Sequence, residues 1–73
     1  MAIYKYNPEN YVDYLCESMN MFHNALPQRN RMHLKIIWNR MFFDTKQAVK
    51  EHLLSSRERD DILEYYGGLI PDV

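Results

Sequence analysis

Met32-His33-Leu34-Lys35-Ile36-Ile37-Trp38-Asn39-Arg40-Met41-Phe42-Phe43 holds the only Trp of the chain, two of its three Phe and two of its five Met. A helix turns by about 100° per residue, so side chains three, four and seven apart share a side. On that spacing Leu34, Ile37, Trp38, Met41, Ala48 and His52 form one broad stripe, with Thr45 inside it. Met32, Ile36 and Phe43 fall almost opposite, flanked by Asn39 and Arg40. A helix on the surface of a monomer shows one apolar stripe and one polar face. Two stripes imply either a central helix packed on both sides, or a helix with one side in the core and the other in an interface.

Upstream, Asn7-Pro8-Glu9 reads as a helix start. Asn7 can cap, Pro8 suits the first helical position, and Glu9 complements the positive end of the helix dipole. A first helix over 8–26 is expected. Val12, Leu15, Met19, Phe22 and Leu26 recur at spacings of 3 and 4 and form a short heptad-like seam. Asp13, Glu17, Asn20 and Asn24 make the polar side, while Tyr14, Met21 and Ala25 widen the apolar arc. Leu26-Pro27 disfavours helical geometry at Leu26, so a tight connection and a helical hairpin follow. Residues 1–7, with Ile3, Tyr4 and Tyr6, read as an extended arm whose Tyr rings lie over the core or over a partner subunit.

Downstream, the second helix is expected over 28–54. Asp44-Thr45-Lys46-Gln47 resembles a capping box, which leaves a break or bend near Asp44 open. The stripe stays in phase through Thr45, Ala48 and His52, which favours one long helix. Ser55-Ser56-Arg57-Glu58 is a better capping box and predicts a third helix over 56–66, with Ile62, Leu63 and Tyr66 as its apolar face. Gly67 and Gly68 are expected to stop it, one of them in the left-handed cap position. The tail 67–73 carries Leu69-Ile70-Pro71, which folds back or meets a partner. The predicted fold is all-α: a hairpin of two longer helices plus a short third, assembling as a helical bundle dimer.

A chain of 73 residues makes one domain. Chains of that size bury only about 60% of the surface they expose when unfolded, so oligomerisation is a natural supplement. Cys16 is the only cysteine and can form no internal disulfide. In this setting it reads as a small buried hydrophobe in a reducing compartment. The hydrophobic fraction of 47% is too high for a disordered chain. No run approaches the roughly 18 apolar residues of a membrane span, and Met1-Ala2-Ile3-Tyr4-Lys5-Tyr6-Asn7 lacks the apolar core of a signal peptide. A soluble cytoplasmic protein is expected, and its small size suits a bacterial or viral origin.

The net charge of −1 is unevenly spread. Residues 1–17 carry −2, residues 18–43 carry +4 with no acid at all, and residues 44–73 carry −3. A basic middle between acidic ends either complements itself within the fold or forms a small anion-facing patch.

No chemistry-bearing motif stands out. His23, His33 and His52 lack the i, i+4 spacing of a metal pair, and the two glycines are adjacent, so no phosphate-cradling loop exists. Asp60, Asp61 and Glu64 read as a solvated face with Arg57 and Arg59. No catalytic residue, metal ligand or cofactor is assigned, and a non-enzymatic role is expected. Gln28, Arg29, Asn30, Arg31, His33 and Lys35, followed by Arg40, could contact phosphates and base edges from the start of the second helix. The slightly acidic chain as a whole argues against a dedicated nucleic-acid binder. Met32, Ile36, Asn39, Arg40 and Phe43, with Tyr14 and Met21, have the Met, aromatic and Arg character that protein interfaces favour. The leading expectation is a small regulator or inhibitor that docks on a larger protein through this face. A nucleic-acid-binding transcriptional regulator and a structural assembly subunit are the alternatives.

Overall fold

A computed structural model describes residues 4–72. Three α-helices, α1 (Asp13–Ala25), α2 (Arg31–Lys50) and α3 (Ser56–Leu69), account for most of them, and no strand occurs among the described residues. Short 3-10 turns at Pro8–Asn10 and Leu26–Gln28 precede and follow α1. The all-α expectation therefore holds. α2 is the middle layer and packs against both α1 and α3.

The expected helix over 8–26 is two pieces. Asn7 caps as predicted, with Oδ1 accepting from the Glu9 N–H at 3.1 Å. The turn closes when the Tyr11 N–H bonds to the Pro8 carbonyl. Tyr11 and Val12 are then non-helical, and α1 begins at Asp13. Tyr11 turns its ring edge-on to Tyr6, so an aromatic contact with the arm replaces a helical turn.

At the far end Leu26 is helical (φ −55, ψ −43) despite preceding Pro27, because Pro27 sits inside a 3-10 turn. The chain reverses at Arg29, which is left-handed (φ 50). Asn30 caps α2 by accepting from the His33 N–H at 3.1 Å.

α2 runs unbroken through Asp44 and stops at Lys50 rather than 54. It ends in a Schellman motif. The His52 N–H bonds to the Val49 carbonyl at 3.0 Å and the Leu53 N–H to the Ala48 carbonyl at 2.8 Å. His52 occupies the left-handed position (φ 62) that usually belongs to glycine. It therefore leaves the apolar stripe where the 3.6 period put it and is exposed.

α3 starts at the predicted capping box, with Ser55 Oγ and the Glu58 carboxylate each accepting from the other residue's N–H at 3.0 Å. It passes through both glycines and ends at Leu69, three residues later than 56–66. Neither glycine has a positive φ. Gly67 serves a close approach instead: a Cβ there would lie 3.3 Å from Trp38 Nε1. Trp38 donates from that nitrogen to the Leu63 carbonyl at 2.9 Å. Leu69, the last residue of α3, and Ile70 just past it pack on the core.

The core is the seam Leu15, Met19 and Phe22 of α1, the arc Leu34, Ile37, Met41 and Ala48 of α2, and Ile62, Leu63 and Tyr66 of α3, closed by Ala25 and Leu54. Two polar residues are buried with it. Thr45 donates back to the Met41 and Phe42 carbonyls at 2.8 and 3.0 Å, which satisfies its hydroxyl inside the helix. Ser18 bonds to the Tyr14 carbonyl and to the Asp44 carboxylate. The Asp44 carboxylate, within the one long helix the stripe favoured, is thus an α2-to-α1 tie.

The arm lies over its own core, as far as it is described. Tyr4 stacks on His23 at 3.8 Å between centroids, and Tyr6 meets Tyr11, Tyr65 and Tyr66. Residues 1–3, including Ile3, lie outside the described residues, as does Val73.

Candidate interaction surface

α2 is buried along one arc and open along the other. Met32, Ile36 and Phe43 are 75%, 63% and 65% exposed, while Leu34, Met41 and Ala48 are fully buried. The three exposed side chains lie within about 40° of one another around the helix. The stripe is about 16 Å long at 1.5 Å per residue. Phe43 touches Phe42 edge-on, and Phe42 in turn lies under the Arg59 guanidinium, 4.5 Å from the ring centroid. Arg59 thus packs on an aromatic ring and donates to the Phe42 carbonyl, instead of joining the solvated acids of α3.

Asn39 is exposed within the stripe. It forms a recess with Met32 and Ile36 whose other walls are Arg31 and Lys35. The same two cations border a second recess, floored by Trp38, Ile70 and Pro71 against Gly67 and Asp72. Arg31 and Lys35 therefore stand on a ridge between two concave places, one on α2 alone and one between α2 and the end of α3.

Arg40 is held by partners on two helices. Its guanidinium reaches Glu17 at 3.2 Å, Asp44 at 3.6 Å and the Met21 sulfur at 3.0 Å. It ties α1 to α2 and stays 41% exposed. Met21, 36% exposed, belongs to this tie and lies beside the stripe rather than on it. Tyr14 is elsewhere: it is half-buried, and its hydroxyl donates to Glu51 at the far end of α2. The hydrogen bond to Glu51, with burial, pushes the Tyr14 phenol up to about 12, and the same hydrogen bond, with one from Gln47, draws Glu51 below the usual carboxylate range.

The candidate anion contacts do not form one cluster. Arg29 sits in the turn before α2. His33 lines a recess on the α1 side with Met21, Asn24 and Gln28. Arg31 and Lys35 stand on the opposite flank of the stripe. All four are exposed, and among the described residues the only ion pairs are those of Arg40.

Two contributors escaped the sequence reading. Lys46 is exposed on the Lys35 side of the stripe, and Lys50 is exposed at its far end. Summed along the chain they fall in an acidic C-terminal segment, whereas the helical angle puts Lys50 directly in line with Met32. Leu53, 54% exposed, lies just past the end of α2 and lines a separate recess with Tyr11 and Val12.

Elsewhere, Cys16 is half-buried rather than buried, with Asn20 donating to its sulfur at 3.5 Å. His23 is half-buried, and burial lowers its pKa. Its Nε2 lies 2.8 Å from the Tyr66 hydroxyl, whose own pKa is raised by burial and by the neighbouring Tyr residues. No group of three or more His, Cys, Asp or Glu side chains placed to hold a metal occurs among the described residues. No helix among them is long and apolar enough to cross a membrane. Comparison with protein-family models, curated proteins and solved structures finds no match.

Proposed function

We propose that the protein is a small non-enzymatic regulator or inhibitor that docks on a larger protein through the open face of α2. The observation that carries this reading is the exposure of Met32, Ile36 and Phe43 on a helix whose other arc already closes the core. A completed core has no use for three large apolar side chains in water. Met, aromatic and aliphatic residues grouped on one rigid face are the composition of an interface centre. Residues beside the stripe are held in place: Arg40 by Glu17 and Asp44, and Phe42 by Arg59. A preorganised surface loses little side-chain entropy on docking.

The test is partner capture from a lysate of the source cell with the wild-type chain and with an Ile36→Ala/Phe43→Ala double variant. Capture lost in the variant while its circular dichroism stays helical is the expected result. Equal capture by both chains overturns the reading.

Self-association is the second use of the stripe, favoured by its layout. An antiparallel copy of α2 would set Met32 against Phe43 and Ile36 against Asn39 across a two-fold axis. Light scattering over a concentration series measures it, and a monomeric mass at all concentrations excludes it. Nucleic-acid binding would use the exposed Arg29, Arg31, His33 and Lys35, but leaves the apolar centre of the face unexplained. Absence of duplex binding at about 50 mM salt removes that alternative.

A further inference from the structure

The exposed residues of α2 are Arg31, Met32, His33, Lys35, Ile36, Asn39, Arg40, Phe43, Lys46, Gln47 and Lys50, and none of them is acidic. Asp44, the one acid of the helix, is turned towards α1 and bonded to Ser18 and Arg40. The apolar stripe therefore runs beside Arg31, Lys35 and Lys46, with Lys50 at its far end, and none of the four is ion-paired among the described residues.

Resting on the docking role proposed above, we infer that the occupant of this face is an acidic amphipathic helix of another protein. Its apolar residues lie along Met32, Ile36 and Phe43, and its carboxylates meet Arg31, Lys35 and Lys46. The length agrees: a stripe of about 16 Å matches three turns of a partner helix. The recess between Met32, Ile36 and Asn39 takes a protruding side chain, with Arg31 and Lys35 at its edge to receive a neighbouring carboxylate. Charge at such a rim steers encounter and excludes wrong partners.

A second copy fits less well. Antiparallel pairing in that register sets like flank on like flank and would bring Arg31 of one copy near Lys46 of the other, cation on cation. The outer face of α3 is acidic, with Glu58, Asp60, Asp61 and Glu64 exposed, but it offers no large apolar side chain to the stripe. A nucleic-acid backbone would satisfy the cations but leave Met32, Ile36 and Phe43 in water.

The test selects helical peptides from a displayed library on the full-length chain. The peptides are then measured on wild type, on Ile36→Asp, and on an Arg31→Glu/Lys35→Glu double variant. Each variant is first checked for helical content. The expected binders carry apolar residues at i, i+4 and i+7 with an excess of acids beside them. They should be lost on Ile36→Asp and weakened about tenfold or more by the charge reversal, with the loss shrinking at high salt. Binders that need Ile36 but show no acid excess, or ignore the charge reversal, overturn the inference and leave the docking role standing. Binders indifferent to Ile36→Asp, or no binder at all, count against the docking role itself. Three controls use phosphatidylserine vesicles, duplex DNA and the chain's own dimerisation. Any of these interactions abolished by Ile36→Asp assigns the face to that occupant and overturns the acidic helix.

Discussion

The indole of Trp38 lies against the backbone of Gly67, close enough that a Cβ at residue 67 would be 3.3 Å from Nε1. The same nitrogen donates to the Leu63 carbonyl, one turn earlier in α3. One side chain of α2 thus reads two successive turns of α3, and the missing Cβ is what lets it sit there. Gly68, the next residue, has nothing within 4 Å of the same position.

Two adjacent helical glycines should therefore respond differently to alanine. Glycine costs a helix up to about 1 kcal/mol relative to alanine, less near a fraying end. Gly68→Ala should recover about 0.5 kcal/mol, since it meets only solvent. Gly67→Ala gains the same propensity but pushes the indole off its carbonyl, at a cost of about 1 kcal/mol for the hydrogen bond. Urea unfolding should rank Gly68→Ala above wild type and Gly67→Ala below Gly68→Ala, with Trp38 fluorescence altered only in the latter. Equal stabilisation by both would mean that the indole yields freely.

A glycine is missing where the backbone asks for one. His52 holds the left-handed position of the Schellman motif that ends α2, and an L side chain there is strained by roughly 1 kcal/mol. Its imidazole is exposed, so little packing is lost with it. His52→Gly should raise the unfolding free energy by about 0.5–1 kcal/mol, read as a higher urea midpoint at unchanged slope. A lower midpoint would show that the imidazole supports the cap.

These two sites mark where sequence patterning reaches and where it stops. The 3.6 period placed Leu15, Met19, Phe22, Leu34, Ile37 and Met41 in the core, and the Ser55–Glu58 box set the start of α3. It also separated the stripe Met32, Ile36 and Phe43 from the core arc. Patterning failed where a side chain from another helix decides. Gly67 looks like a stop until Trp38 is seen against it, and the ties of Asp44 to Ser18 and Arg40 show only once α1 is packed on α2. The pairing of Arg40 with Glu17 was not legible, because Glu17 lies on α1, 23 positions away in the sequence numbering. Lys46 and Lys50 were legible from helical angle alone and were obscured by summing charge along the chain.

His23 links the arm, α1 and α3, with Tyr4 stacked on its ring and the Tyr66 hydroxyl on Nε2. Burial lowers its folded pKa below the 6.5 of the unfolded chain. The unfolded state therefore binds more protons as pH falls through that region. The stability His23 supports is complete above 6.5 and is lost as pH drops from there to the lowered folded value. The urea midpoint should fall between about pH 7 and pH 5. His23→Gln keeps a hydrogen-bonding group near Tyr66 but does not titrate, so it should flatten this dependence. His33→Gln, at an exposed position, should leave it intact. A slope that survives His23→Gln would place the coupled proton elsewhere.

The two arcs of α2 should separate stability from binding. Met41 is fully buried, and truncating it to Ala removes packing and leaves a cavity, at a cost of about 2–5 kcal/mol. Ile36 and Phe43 are mostly in water, so Ile36→Ala and Phe43→Ala should each change stability by no more than about 0.5 kcal/mol. Parallel urea titrations of the three single variants measure this directly. If the Ile36 or Phe43 variant loses stability on the scale of Met41→Ala, the stripe is structural in solution, and the chain is already covering it with a second copy. If both hold the wild-type midpoint, the apolar surface is free in the isolated chain. Any loss of partner capture in the double variant is then a loss of contact and not of fold.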